Sequence, residues 1–264
     1  MLADTAQIQN DDLKYINKKP EAKAKTLLEP IYTIEDVDPA MELFFTLPYR
    51  KEIEIAPDVK VSFTDSGHIL GAAAVNMKIK ENGKEIRLTF TGDIGRPGDK
   101  ILKVPDPFPQ AEYIICESTY GNRLHDTTEN SERKLLDIVK QTCIEKKGKL
   151  IIPAFSLGRT QEVVYVLNIL KNAGLLPPIP VYVDSPLSVN ATAIMKAHPE
   201  CFNGEILKLL REDPDPFGFD NLHYIQQVKD SIALNDMDKP MIIISASGMA
   251  DAGRVKHHIK NNIK

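Results

Sequence analysis

The sequence predicts an α/β protein in which an antiparallel, β-rich unit is joined near residue 118 to a mainly parallel sheet with helices between its strands. Three observations carry this. The stretch AAVNMKIK–ENGK–EIRLTF is an alternating strand, an Asn82-Gly83 turn and a second alternating strand, the pattern of a tight hairpin. Four short runs, YIIC (113–116), KLIIP (149–153), PVYV (180–183) and MIIIS (241–245), are apolar without alternation, as expected of strands buried on both faces. Helical spacing fills the intervals between them, which is the rhythm of βαβ units with right-handed crossovers.

Taken in chain order, Asp4 to Lys18 reads as a helix, and KKPEAKAKT after it as a solvated charged loop. Thr33 with Asp36 three residues on is a capped helix start, expected to run through Met41, Leu43 and Phe44 to about Thr46. EIEIA (52–56) and VKVSF alternate with period two and precede the hairpin. Helices are expected over Glu129–Cys143, Arg159–Ala173 and Ser188–Ala197, with the Pro-rich REDPDPFGFD (211–220) as a loop before the last unit.

Composition narrows the class. The 264 residues carry 33 Lys+Arg against 37 Asp+Glu, a net charge of −4, with 42% hydrophobic residues, which is ordinary globular usage. The longest apolar runs fall far short of the roughly 18 residues of a membrane span. The opening residues MLADTAQIQNDD have neither a basic start nor an apolar core, so no secretory leader is expected from them. Cys116, Cys143 and Cys201 are odd in number and widely spaced, which fits a reducing cytoplasm. Slight acidity argues against nucleic-acid binding over the whole surface but leaves room for a local basic groove.

Candidate chemistry gathers at strand ends, where open parallel sheets bind ligands. YIIC leads into Glu117-Ser-Thr-Tyr-Gly, KLIIP into Ala154-Phe-Ser-Leu-Gly-Arg159, PVYV into Asp184-Ser185-Pro, and MIIIS into Ala246-Ser247-Gly248-Met249. The Ser245–Met249 turn offers backbone N–H groups and two hydroxyls to a phosphate. Each such turn alone reads more readily as a helix cap; four on one edge suggest a rim that binds a polyanion. In the β-rich half, Asp65-Ser-Gly-His68 and Thr91-Gly-Asp93 stand at the two ends of a folded-back hairpin. His68 and Asp93 are suitable ligands for Zn²⁺ or a similar ion, although spacing alone favours turn-capping roles for them. The other histidines supply no obvious third ligand: His125 and His223 fall in polar loops, His198 precedes Pro199, and His257-His258 reads as a solvated basic helix face.

The segments DSGHILGAA, FTGDIGRP, CESTYGNRLH, IIPAFSLGRTQE, VDSPL and SASGMADAGRVKHHIK occur in that order from about Thr33 onward. By them the chain resembles the β-CASP branch of the metallo-β-lactamase superfamily, the RNA-processing nucleases related to the mRNA 3′-end cleavage and polyadenylation endonuclease. The resemblance implies a partial metallo-β-lactamase (αββα) sheet unit over 1–120 and a β-CASP domain with a Rossmann-like sheet over 121–264. It implies that His68 ligates one of two zinc ions, that Asp93 bridges both, and that Glu117 is an acidic residue beside them. The reaction implied is phosphodiester hydrolysis of RNA at that two-zinc centre. Ser247 and Gly248 would hold an RNA phosphate, and Arg159 and Ser185 would contact others. The family's HxHxDH signature and its later His motifs are absent from this sequence. An internal piece of a longer nuclease is therefore expected, with weak zinc occupancy, no hydrolysis on its own, and exposed sheet surface that favours association of copies. A non-catalytic, RNA-binding relative and a metallo-hydrolase of another substrate are the alternative readings.

Overall fold

The computed structural model describes residues 1–18, 27–124 and 130–263. The KKPEAKAKT stretch from residue 19, His125 and the expected helix start at Glu129 therefore lie outside the described residues. The chain folds as a mixed α/β structure with two sheets.

Helix α1 (Leu2–Asn17) covers the predicted segment and buries only Ala6. A short 3₁₀ turn, Ile34–Asp36, then leads into α2 (Val37–Met41). The Asp36 carboxylate accepts from the Thr33 backbone N–H at 2.7 Å and from its hydroxyl at 3.0 Å, so the capping residues act as their spacing suggests. The helix stops five residues short of the expected end. Leu43, Phe44 and Phe45 are all exposed, and a short helix lengthens only where an apolar face finds something to pack on.

The first sheet has the order β1-β2-β3-β4-β5. Its strands are β1 (Ile53–Ala56), β2 (Val59–Asp65), β3 (Ala73–Glu81), β4 (Lys84–Phe90) and β5 (Tyr113–Ile115). Asn82 and Gly83 both have positive φ, 51° and 75°, the requirement of the primed turn that joins β3 to β4. One face carries a polar ladder instead of a purely apolar one. Asn76 donates to the Thr64 hydroxyl at 2.8 Å and accepts from the Thr89 hydroxyl at 3.1 Å, and all three are buried. Strand β5 corrects an expectation. It pairs in parallel with β4 at the sheet edge, and Tyr113, Ile114 and Ile115 are 61%, 63% and 54% exposed, not buried. Its continuous apolar run signals a strand, but no layer covers it among the described residues.

The second sheet is wholly parallel, in the order β6-β9-β7-β8. It comprises β6 (Lys149–Pro153), β7 (Val181–Asp184), β8 (Leu222–Ile225) and β9 (Met241–Ser245). Helices α3 (Ser131–Val139, continued by a π turn to Glu145), α4 (Arg159–Asn172), α5 (Pro186–Ala197), α6 (Gly204–Leu209), α7 (Val228–Asp236) and α8 (Val255–Asn262) surround it. Period-two alternation divides the buried strands between two layers. Val181, Val183, Ile242 and Ile244 pack with Val164, Leu167 and Met195 on one face. Tyr182, Met241 and Ile243 pack with Leu234 of α7 on the other. Strand β8 is not visible in the sequence pattern, so His223 lies in a strand and stacks on Tyr182 (ring centroids 5.2 Å apart) instead of sitting in a polar loop. Ile101 and Leu102, from the chain that links the sheets, enter the same cluster as Phe202 and Phe217.

Candidate functional site

Three strand ends of the first sheet build the first half of the site. Because β3 runs antiparallel to β2 and β4, and β5 runs parallel to β4, the C-terminal ends of β2, β4 and β5 share one edge. Beyond β2, the Asp65 carboxylate accepts from the Gly67 N–H at 2.8 Å and closes a turn that presents His68. Beyond β4, the Gly95 N–H donates to the Ser66 carbonyl at 2.7 Å. The two loops touch backbone to backbone: a Cβ on Gly95 would lie 2.0 Å from the Gly67 oxygen. This contact brings His68 Nε2 within 3.6 Å of Asp93 Oδ2. Beyond β5, Glu117 Oε1 accepts from the Ile94 N–H at 2.7 Å, so it braces the Asp93 loop by its backbone.

The His68–Asp93 separation fits two donors of one tetrahedral ion, whose ligands at about 2.0–2.1 Å lie roughly 3.4 Å apart. Both side chains are open to solvent, 43% and 67% exposed. Among the described residues no group of three or more His, Cys, Asp or Glu is arranged to hold a metal. The donor set suits zinc in kind, but two donors are fewer than the three or four protein ligands that zinc sites use.

The second sheet closes on this edge. A Cβ on Gly158, which has φ +85°, would meet the Ile69 side chain at 3.3 Å, so the start of α4 rests on the residue after His68. Glu162 receives two guanidinium groups there. Arg96 Nη2 donates to its Oε1 at 2.7 Å and Arg159 Nη1 to its Oε2 at 2.5 Å. Two cations share one carboxylate where the edges of the sheets meet, across from the Asp93 and Glu117 carboxylates. Sequence reasoning singled out Arg159 and overlooked Arg96 and Glu162.

The other rim residues fare differently. Ser185 is buried and caps α5: its Oγ accepts from the Ser188 N–H at 3.2 Å and lies 3.1 Å from the Ser156 hydroxyl. Of the two hydroxyls in the Ser245–Met249 turn, that of Ser245 is buried and donates to the Asp184 carbonyl at 3.0 Å. The Ser247 hydroxyl donates to Asp251 Oδ1 at 2.5 Å and holds that carboxyl below its ordinary range. A Cβ on Gly248 would strike the Phe155 ring at 2.9 Å; glycine there lets the ring lie on the turn.

Behind the turn is a network that the sequence reading missed. Asp184 is fully buried. Its Oδ1 accepts from Arg254 Nη1 at 2.7 Å, and its Oδ2 faces His258 Nε2 at 2.6 Å and the Ser231 hydroxyl at 2.5 Å. His258 is also fully buried, which corrects its assignment to a solvated face; His257 alone is exposed. The signal was the Arg254/His258 spacing of four, which puts both on one side of α8. Lys149 Nζ donates to Asn262 Oδ1 at 2.9 Å, and Asn262 Nδ2 donates to Asn235 Oδ1 at 2.9 Å. His258 Nδ1 lies 2.9 Å from that same oxygen, with Nε2 at the Asp184 carboxylate. These contacts tie β7, α7 and α8 together behind Ser247.

A family model described as the Beta-Casp domain matches residues 160–264. Among curated proteins, Ribonuclease TTHA0252 of Thermus thermophilus is 30% identical over 92% of this chain and 54% of its own length. An RNase J-like protein of Methanocaldococcus jannaschii is 34% identical over 88% of this chain and 53% of its own. A transcription termination factor FttA of Methanosarcina mazei is 34% identical over 84% of this chain and 35% of its own. The chain thus spans about half the length of the first two and about a third of the last.

Proposed function

We propose, proceeding from this chain's membership of the β-CASP family of metallo-β-lactamase-fold nucleases, that it is part of a zinc-dependent enzyme that hydrolyses RNA in the cytoplasm. The observation that supports this reading best is the meeting of His68 Nε2 and Asp93 Oδ2, 3.6 Å apart, at the edge onto which the β-CASP sheet closes. Zn²⁺ bound there would supply the Lewis acidity and the positive charge that phosphodiester hydrolysis calls for. Around it, Glu117 positions the Asp93 loop through the Ile94 N–H. The Ser247–Gly248 turn and Arg159 bind phosphates of the RNA, Arg159 by exchanging Glu162 for a phosphate oxygen. Ser185 contributes by capping α5 and not by direct contact. Residues 1–120 supply the metal-ligand edge and 121–264 the RNA-binding edge, and exposed β5 gives copies of the chain a surface on which to associate.

The two donors brought together among the described residues fall short of the three protein ligands per ion that hydrolytic zinc centres use. The chain by itself is therefore expected to leave RNA intact. End-labelled single-stranded RNA incubated with the purified chain, with Zn²⁺ and with a chelator, checks this. Unchanged RNA in both lanes is the expected result; cleavage that the chelator abolishes would show a complete centre and overturn this part of the reading.

A further inference from the structure

We propose that the Phe155 ring is a stacking platform for one base of single-stranded RNA, placed beside the Ser247–Gly248 turn; this rests on the nuclease reading above. Phe155 lies two residues beyond β6, at the sheet edge where ligands bind, and is 54% exposed. It is held rigidly at its backbone. Its carbonyl accepts from the Thr160 N–H at 3.2 Å and from the Thr160 hydroxyl at 2.7 Å, and Thr160 is itself buried. The preceding residue, Ala154, is buried and donates to the Ser245 carbonyl at 3.0 Å. One edge of the ring rests on Gly248, where no side chain fits. The ring thus rests on the turn with much of its surface left in water, and Met249, which follows Gly248, is exposed as well.

The surroundings choose the occupant. The Arg159 guanidinium, on the next turn of chain, is half exposed and shares a single carboxylate with Arg96. An apolar ring four residues before an arginine that can exchange its carboxylate for a phosphate complements a polyanion that carries flat, apolar faces. Single-stranded RNA has both, whereas a duplex hides its base faces. Stacking on a fixed aromatic contributes about 1–3 kcal/mol per base, and tolerates any base because each has a π face.

The chain contains no Trp, so Phe155→Trp installs a lone indole at the site, excited selectively at the red edge where the chain's eight tyrosines do not absorb. The full chain carrying it is titrated with single-stranded oligoadenylate, with duplex RNA and with inorganic polyphosphate. Oligoadenylate is expected to quench the introduced indole, while polyphosphate binds without quenching. In parallel, Phe155→Ala is expected to weaken oligoadenylate binding about 5- to 160-fold, and Phe155→Tyr to restore it, with unchanged circular dichroism in both. Equal binding by wild type and Phe155→Ala overturns the platform and leaves the nuclease reading standing. Equal quenching by polyphosphate, or an indole already shielded and unresponsive, overturns the platform as well. Absence of RNA binding by the wild-type chain overturns both.

Discussion

Replacing Asp184 by Ala lowers the unfolding free energy by about 3–5 kcal/mol, the usual cost of removing one partner from a buried ion pair. Three groups converge on this fully buried carboxylate, Arg254 at the N-cap of α8, His258 within α8 and Ser231 of α7. Truncation strands them without an acceptor, and the unmet donors make up most of the loss. Urea unfolding followed by circular dichroism measures it. A loss under about 1 kcal/mol would mean that water or another acceptor replaces the carboxylate. The same group predicts a pH dependence. Burial pushes the Asp184 carboxyl up, but the hydrogen bonds from His258, Ser231 and Arg254 outweigh it and hold the group below its ordinary value. A depressed folded value gives stability that is complete above the unfolded value of about 3.9 and is lost as pH falls through the lower folded one. Asp184→Asn should therefore flatten the acid limb of the stability profile below about pH 4.

Gly95→Ala is expected to separate the His68 and Asp93 loops. The added Cβ would sit 2.0 Å from the Gly67 oxygen and 2.9 Å from the His68 nitrogen. Both obstacles are backbone, so no side chain can rotate away and a loop must move. Overpacking of this kind costs typically 1–3 kcal/mol. The larger effect falls on zinc. Supports of metal ligands are worth about 10- to 100-fold in affinity, and a similar loss is expected here. Zinc titration of the variant against wild type reads it, alongside thermal unfolding. Unchanged zinc affinity would show that the loops do not need this contact to hold the donors together.

Local chemistry accounts for what was legible in the sequence. The Asn82-Gly83 turn and the Thr33–Asp36 capping box depend on residues within four positions of each other, and both appear as read. His68 and Asp93 lie 25 residues apart (93 − 68), but a hairpin of definite register spans the interval, so their meeting could be anticipated. Tertiary surroundings decided the rest. YIIC and MIIIS look alike as sequence, yet β9 lies between two strands under helices and β5 forms an open edge. His258 looks solvated beside Lys256 and Lys260, and only the position of Asp184, 74 residues earlier, makes it a buried partner. Ser185 shows the converse. A Ser-Pro after a strand serves a phosphate or a helix N-terminus equally well, and here its hydroxyl caps α5.

The most direct measurement is calorimetric zinc titration of the wild-type chain beside His68→Ala and Asp93→Asn. Both residues are exposed, so neither substitution should disturb the fold, and circular dichroism verifies that. The wild-type chain should bind zinc weakly, and either substitution should abolish the binding. Zinc bound equally by all three proteins would contradict a metal site at His68 and Asp93.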